Sequence, residues 1–406
     1  MNAIQPIRAV RPRLCPVDFD DTLDRTEKRI MAAHASHMGY PYNLAFTSAG
    51  LGRFGGYLIN NLGDPYAGSH YASEVCALER EAVAWFERLW DCDGDGFWGS
   101  VGASGTEGNL WALYLGREAV PGAVLVHSDE AHYSIPKAGR ILGMEARPVR
   151  CAADGAILLA HLASVLKGLG GRPVVLALTC GTTMKGAHDD IAGAIAAMDD
   201  AGYGRDRRFI HVDGALNAMV IPFAEGAPAA IRPSFRMPID SISTSGHKMV
   251  GTPMPCGVLV ARRPHVDRVA SAVSYLRSND TTLMGSRNGH AVLAIWNRVT
   301  RHGMPGFTAD VAGCLSRTER MVTELQRMMV PVLRNPLSLT VVFPAPSEEI
   351  VGRYQLACHR GQAHAVVMPN VGDTLIDRFL KDYATWWRGV SPLGELAQFP
   401  AIAARQ

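Results

Sequence analysis

The order of apolar and polar stretches predicts an α/β protein with a mostly parallel sheet, followed by a smaller α+β unit. Three observations carry this. Short apolar or mixed runs recur at 123–126, 174–178, 209–212, 241–243 and 258–260, with helical segments or long crossovers between most of them. Strands buried on both faces of a parallel sheet read as such runs. After about residue 290 the texture changes to helix 308–328, strand 338–343, helix 348–359, strand 365–368 and helix 373–383. Finally, the 406 residues are 48% hydrophobic and 19% charged, which supplies a large core and argues against global disorder.

In chain order, residues 1–20 read as an irregular arm. Residues 21–38 read as a helix, acidic near its start and with Gly39 just past its end. The stretch 41–65 is rich in Gly and Asn with little periodicity, and a long irregular segment in a compact protein is often functional. Residues 74–90 form an amphipathic helix with Val75, Leu78, Ala82, Trp85, Phe86 and Leu89 on one face. Residues 92–99 read as a Gly/Asp-rich turn, and the tail 386–406 as extended. The expected division is an N-terminal arm and helix at 1–70, a large domain at 71–290 and a small domain at 291–406.

Composition excludes several classes. A net charge of +2 gives no footprint for nucleic acid. The eight cysteines contain no C-x-x-C pair and no zinc spacing, so free thiols in a reducing compartment and no metal are expected. The Arg/Pro-containing start lacks an apolar signal region, and no apolar stretch approaches the length of a membrane span. The expectation is a cytoplasmic protein with no membrane partner.

Five stretches could carry chemistry. The central one is Ser245-Gly246-His247-Lys248, which breaks an apolar strand and leads through Gly251, Pro253, Pro255 and Gly257 into another. A lysine between two buried strands is costly unless neutralised or paired. Formation of a Schiff base is one use that accounts for it, and a surface lysine on a loop is the alternative. The stretch 102–109 places Ser104, Gly105 and Thr106 at the head of an amphipathic helix, either a phosphate cradle or an ordinary capped turn. His132 follows a strand, where ligands of open α/β sheets collect. Asp213 closes the run 209–212 and precedes Ala215, which leaves room for something flat; a helix cap is the alternative. The stretch 179–190, with Thr182, and the polar loop 280–290 complete the set.

Their order is more informative than any one of them. A phosphate loop, a ring-facing residue, an aspartate closing a strand and a lysine 35 positions later match the needs of pyridoxal 5′-phosphate. Its phosphate suits a helix N-terminus, its pyridine nitrogen a carboxylate and its aldehyde a lysine.

Segments spread from about residue 39 to 382 carry a resemblance. They are 60–65, 78–81, 105–109, 132–134, 181–187 with Asp189 and Asp190, 245–248, 255–257 and 285–290. Together they resemble the group II pyridoxal-phosphate-dependent amino-acid decarboxylases, above all bacterial histidine decarboxylases and the related serine decarboxylases. The resemblance implies the aspartate aminotransferase-like fold type I, with the large domain binding the cofactor. It implies a lyase of amino-acid metabolism working as a homodimer with shared active sites, or as a tetramer. By position, Lys248 matches the Schiff-base lysine, Asp213 the pyridinium partner, Ala215 the residue under the ring and His132 the imidazole stacked on its other face. Ser104, Gly105 and Thr106, helped by Ser245 and His247, match the phosphate site, and Thr182 lies in a matching cofactor segment. Ser286 and Arg287 match phosphate contacts from a second subunit, and Tyr275 the mobile-loop tyrosine that returns a proton. The implied reaction is decarboxylation of an L-amino acid to its amine and carbon dioxide, with histidine as first substrate. Serine, another small or cationic amino acid, and an aldehyde-forming variant are the alternatives. The chain departs from the relatives' usual pattern at Leu178, Thr179 and Cys180, at His188, and at Gly214, Asn217 and Ala218, near the expected pocket.

Overall fold

The computed structural model describes residues 18–390. The first helix, α1 (Phe19–His34), is capped by Asp18, whose carboxylate accepts from the Asp21 N–H at 3.0 Å. The chain then crosses an irregular segment containing β1 (Asn60–Leu62) and enters α2 (Cys76–Leu89), whose apolar stripe is buried.

Next come β2 (Phe97–Gly102), α3 (Gly105–Ala119), β3 (Val124–Ser128), α4 (Ser134–Ile141), β4 (Ala146–Val149), α5 (Leu159–Gly168), β5 (Val174–Thr179), α6 (Ile191–Asp200), β6 (Arg208–Asp213), β7 (Ser241–Ser245) and β8 (Gly257–Arg262). Seven of these strands form one sheet in the order β2-β8-β7-β6-β5-β3-β4. Every neighbouring pair is parallel except the two made by β8. The mostly parallel sheet expected from the apolar runs is present, and every residue of β3, β5 and β6 is buried. The order reverses between neighbours at the carboxyl ends of these strands, where ligands of such sheets bind.

Beyond the sheet, α7 (Arg263–Val269) leads to the hairpin β9 (Ser271–Val273) and β10 (Ser278–Asp280), and β11 (Ser286–Asn288) pairs antiparallel with β1. The long α8 (Gly289–Arg327) follows. Last come β12 (Thr340–Pro344), α9 (Glu348–Tyr354), β13 (Ala357–His359), β14 (Gln362–Val366) and α10 (Asp373–Val390), with the strands in an antiparallel sheet ordered β12-β14-β13.

Several expected boundaries move. The turn at 92–99 ends earlier, because β2 begins at Phe97 and pairs along its whole length with β8. The helix expected at 308–328 begins at Gly289 and is broken at Gly303, which has φ 59°. Pro305 follows that break, where its missing N–H costs little. The helix expected at 348–359 stops at Tyr354, because Gln355 turns left-handed at φ 54° and the chain reverses into β13. Residues 386–390, expected to be extended, are helical, since α10 runs on to Val390; residues 391–406 and most of the N-terminal arm lie outside the described residues.

Candidate active site

The site forms where β5, β6 and β7 end and α3 begins. Strand β7 is fully buried although four of its five residues are Ser or Thr. Buried hydroxyls need partners, and here they find them. Ser241 Oγ lies 2.9 Å from His211 Nδ1, Ser243 Oγ donates to Asn109 Oδ1 at 3.0 Å, and Thr244 Oγ1 donates to the Ala215 carbonyl at 3.4 Å.

Lys248 sits in a single turn, Gly246–Val250, between β7 and β8, with φ −90° and ψ −121°. Gly251 closes this turn at φ 83°, donating to the Gly246 carbonyl at 2.9 Å. Burial lowers the Lys248 pKa from its usual 10.5, and the charge of Asp213 opposes that effect. His132 is lowered from 6.5, first by burial and then by the Lys248 charge, while Asp213 raises it. Asp213 and His132 are joined through Asn109 and Ser134 by hydrogen bonds of 2.8, 2.9 and 2.7 Å.

Asp213 is 4% exposed and makes no ion pair with Lys or Arg among the described residues. Its Oδ2 accepts from Asn109 Nδ2 at 2.8 Å and its Oδ1 from the Ala215 N–H at 3.1 Å. A buried carboxylate held only by neutral donors is arranged to receive a cation.

Ser104 is the N-cap of α3, its Oγ accepting from the Glu107 N–H at 3.2 Å, while Glu107 reaches back to the Ala103 N–H at 2.5 Å. This is the reciprocal pattern of a capping box with the return bond shifted one residue upstream of the cap. It uses Ser104 as an acceptor and leaves its O–H proton for another group. The first N–H groups of α3, those of Gly105 and Thr106, have no partner within the helix, and the positive end of the helix dipole points the same way. A Cβ on Gly105 would fall 2.4 Å from Ser245 Oγ and 3.7 Å from Ala215 Cβ. Only glycine lets the helix approach this closely, and an anion seated there meets backbone and hydroxyl donors.

Residues 118–342 match the pyridoxal-dependent decarboxylase conserved domain. The chain belongs to the pyridoxal-dependent decarboxylases.

This decarboxylase is 42% identical to Serine decarboxylase 1 of Oryza sativa subsp. japonica over 357 residues, covering 87% of the chain and 73% of the relative. It is 36% identical to Histidine decarboxylase of Vibrio campbellii over 348 residues, covering 85% of the chain and 89% of the relative. Its fold is similar to that of L-methionine decarboxylase from Streptomyces sp.590, with TM-score 0.83 and 24% identity over 91% of the chain and 95% of that structure. The fold is thus the α/β type I fold, and the chain is a decarboxylase of amino acids that uses pyridoxal phosphate. The residues fit that group by their chemistry, with free N–H donors at the head of α3, a buried carboxylate held only by neutral donors, and a buried lysine of lowered pKa.

Other residues singled out in the sequence fall elsewhere. Thr182 is 2% exposed and its Oγ1 accepts from the Ala187 N–H at 3.0 Å, closing the loop after β5. The His247 ring faces Tyr42, with centroids 5.7 Å apart. Ser286 is exposed on β11 and accepts from Asn60 Nδ2 at 3.1 Å. Arg287 turns its guanidinium inward onto Glu79 and the carbonyls of Val101 and Gly63. Tyr275 is 84% exposed in the turn between β9 and β10 and makes no hydrogen bond or ring contact with the residues above. Asp64 is a turn residue, accepting from the Tyr66 N–H at 2.7 Å. Three of the departing positions meet one another: Cys180 Sγ lies 3.9 Å from His188 Nδ1, and His188 Nε2 lies 3.5 Å from Asn217 Nδ2.

Asn109, Ser134, His211 and Ser243 are the functional candidates that sequence reasoning passed over. The available signal was polar side chains inside otherwise apolar strands, at His211 and at alternate positions of β7.

Proposed function

We propose that Lys248 carries the cofactor, Asp213 faces its ring nitrogen, and His132 and Ala215 cover the two faces of the ring. Ser104, Gly105 and Thr106 hold its phosphate, with Ser245 and His247 at the edge. The bound cofactor supplies an electron sink for the pair left behind when the bond from Cα to the carboxylate breaks. The chain's own residues prepare that step. The lowered pKa of Lys248 raises its neutral, nucleophilic fraction at a given pH. Asp213 supplies the negative charge that holds a protonated ring nitrogen. His132 and Ala215 hold the plane against which the scissile bond is set upright. What supports the reading is a buried lysine just past the end of β7 whose pKa is lowered by burial against the opposing charge of Asp213, with Ser245 at the end of that strand packed against Gly105 at the head of α3.

The expected products are an amine and carbon dioxide, with the proton at Cα returned by Tyr275 or His132. Borohydride treatment of the yellow protein should fix the cofactor to the peptide containing Lys248. Lys248→Ala protein with normal turnover would exclude the assignment.

Histidine is the first substrate reading. Flat faces support it: His37, Tyr40 and Tyr42 stack with centroids 5.6–5.9 Å apart, and Tyr42 meets His247 beside Lys248. Serine is the second reading, favoured by the 42% identity to a serine decarboxylase. Carbon dioxide release from a panel of amino acids, with the amine or aldehyde identified by chromatography, separates these. An exposed Tyr275 supports a homodimer in which the hairpin enters the partner's site. Mixed dimers of Lys248→Ala and Tyr275→Phe chains should then recover activity that neither parent has.

A further inference from the structure

We infer that Asn109 is a positioning residue that couples Asp213 to His132 and fixes the His132 proton on Nε2. The inference deepens the reading that Asp213 faces the cofactor's ring nitrogen, and rests on it for its consequence in catalysis.

The argument starts from one charge. An ionised carboxylate can only accept, so the atom of Asn109 lying 2.8 Å from Asp213 Oδ2 must be its NH₂ group. That orientation decides the rest. The same NH₂ donates to Ser134 Oγ at 2.9 Å, and Asn109 Oδ1 is left to accept. It accepts from Ser243 Oγ and from His211 Nε2, each at 3.0 Å. Burial holds His211 neutral, with its pKa lowered to about 4, so its Nδ1 accepts from Ser241 Oγ at 2.9 Å. All four hydrogen-bonding positions of Asn109 are filled, at 1% exposure.

On the other branch, Ser134 Oγ accepts a hydrogen bond from Asn109 and directs its own proton toward His132 Nδ1, 2.7 Å away. The Ser134 N–H also points at that nitrogen, at 3.3 Å. Two donors aimed at Nδ1 make it an acceptor. Burial favours the neutral imidazole, so its one proton sits on Nε2. His132 therefore offers a donor at Nε2, not a base. One amide serves both residues because α3 lies close on β7: a Cβ on Gly108 would fall 3.0 Å from Ser243 Cβ.

The test uses the full-length enzyme labelled with ¹⁵N-histidine, with and without pyridoxal phosphate, and His132→Gln to assign its signals. The expected result is a bare Nδ1 and a protonated Nε2 in both states near neutral pH. A proton on Nδ1 overturns the inference, and this measurement needs no change at Asn109. Asn109→Asp supplies the second arm. It sets a carboxyl against Asp213, where the two share a proton, so cofactor affinity should fall about tenfold or more at about pH 8 and recover toward about pH 6. Asn109→Ala should fall without that recovery. If the two variants follow one another across that range, Asn109 is only structural and the coupling is wrong. Failure of the underlying reading looks different: Asp213→Ala would then bind the cofactor normally, while the His132 tautomer is unchanged.

Discussion

Arg298 Nε donates to the carbonyl of Val250 at 2.8 Å, which ties the long helix α8 to the turn that holds Lys248. The same guanidinium reaches Asp310 Oδ2 at 2.9 Å, and His302 Nε2 meets that oxygen at 2.8 Å. The tie therefore spans the break at Gly303 and joins both halves of α8 to the site.

Arg298→Ala should weaken both the fold and the cofactor site. It strands a half-buried carboxylate and a buried carbonyl, for a loss of about 2–3 kcal/mol. Urea unfolding gives the stability change, and absorbance titration with pyridoxal phosphate should show weaker binding. A stable variant with unchanged cofactor affinity would mean that the tie does not hold the turn.

Gly105→Ala should damage cofactor binding far more than folding. The added methyl falls 2.4 Å from Ser245 Oγ, at the place assigned to the phosphate. One lost charge-assisted contact there corresponds to about tenfold or more in affinity. Titration of cofactor-free protein measures it, and far-UV circular dichroism should show a retained fold.

The large sheet was legible because its central strands are buried on both faces, and such burial writes itself into the chain as apolar runs at 174–178 and 209–212. Strand β2 was less so. Its pairing with β8 joins residues about 160 positions apart, and its Gly and Ser content reads as a turn until that partner is known. Lys248 and Asp213 were visible through local breaks in strand pattern. Asn109 was not, because its importance comes from partners at Ser134, Asp213, His211 and Ser243 that only the fold gathers. The Arg287–Glu79 pair was hidden for the same reason, since the two residues lie on different elements.

That pair makes a separate prediction. Glu79 is fully buried and accepts from Arg287, from Asn61 Nδ2 at 2.7 Å and from the Val101 N–H at 2.8 Å. Removing one partner leaves an uncompensated buried charge, so Arg287→Met should cost about 3–5 kcal/mol. The double variant Glu79→Gln, Arg287→Met should recover part of this loss. Denaturant midpoints for the cycle measure it, and fully additive losses would contradict a coupled pair.

Acid should destabilise the protein through two histidines. Burial lowers the pKa of both His188 and His211 from 6.5 to about 4. Each is neutral when folded and takes up a proton more readily when unfolded. The sign follows: their contribution is complete above about pH 6.5 and is lost as the pH falls toward about 4, by about 3 kcal/mol for each. His188 is the cleaner probe, because it touches Cys180 and Asn217 rather than the Asn109 network. Urea unfolding between about pH 7.5 and 4.5 should show a falling midpoint, and His188→Val should make that fall shallower, since one buried histidine is gone. An unchanged slope in His188→Val would show that His188 is already solvated and protonates without strain on the fold.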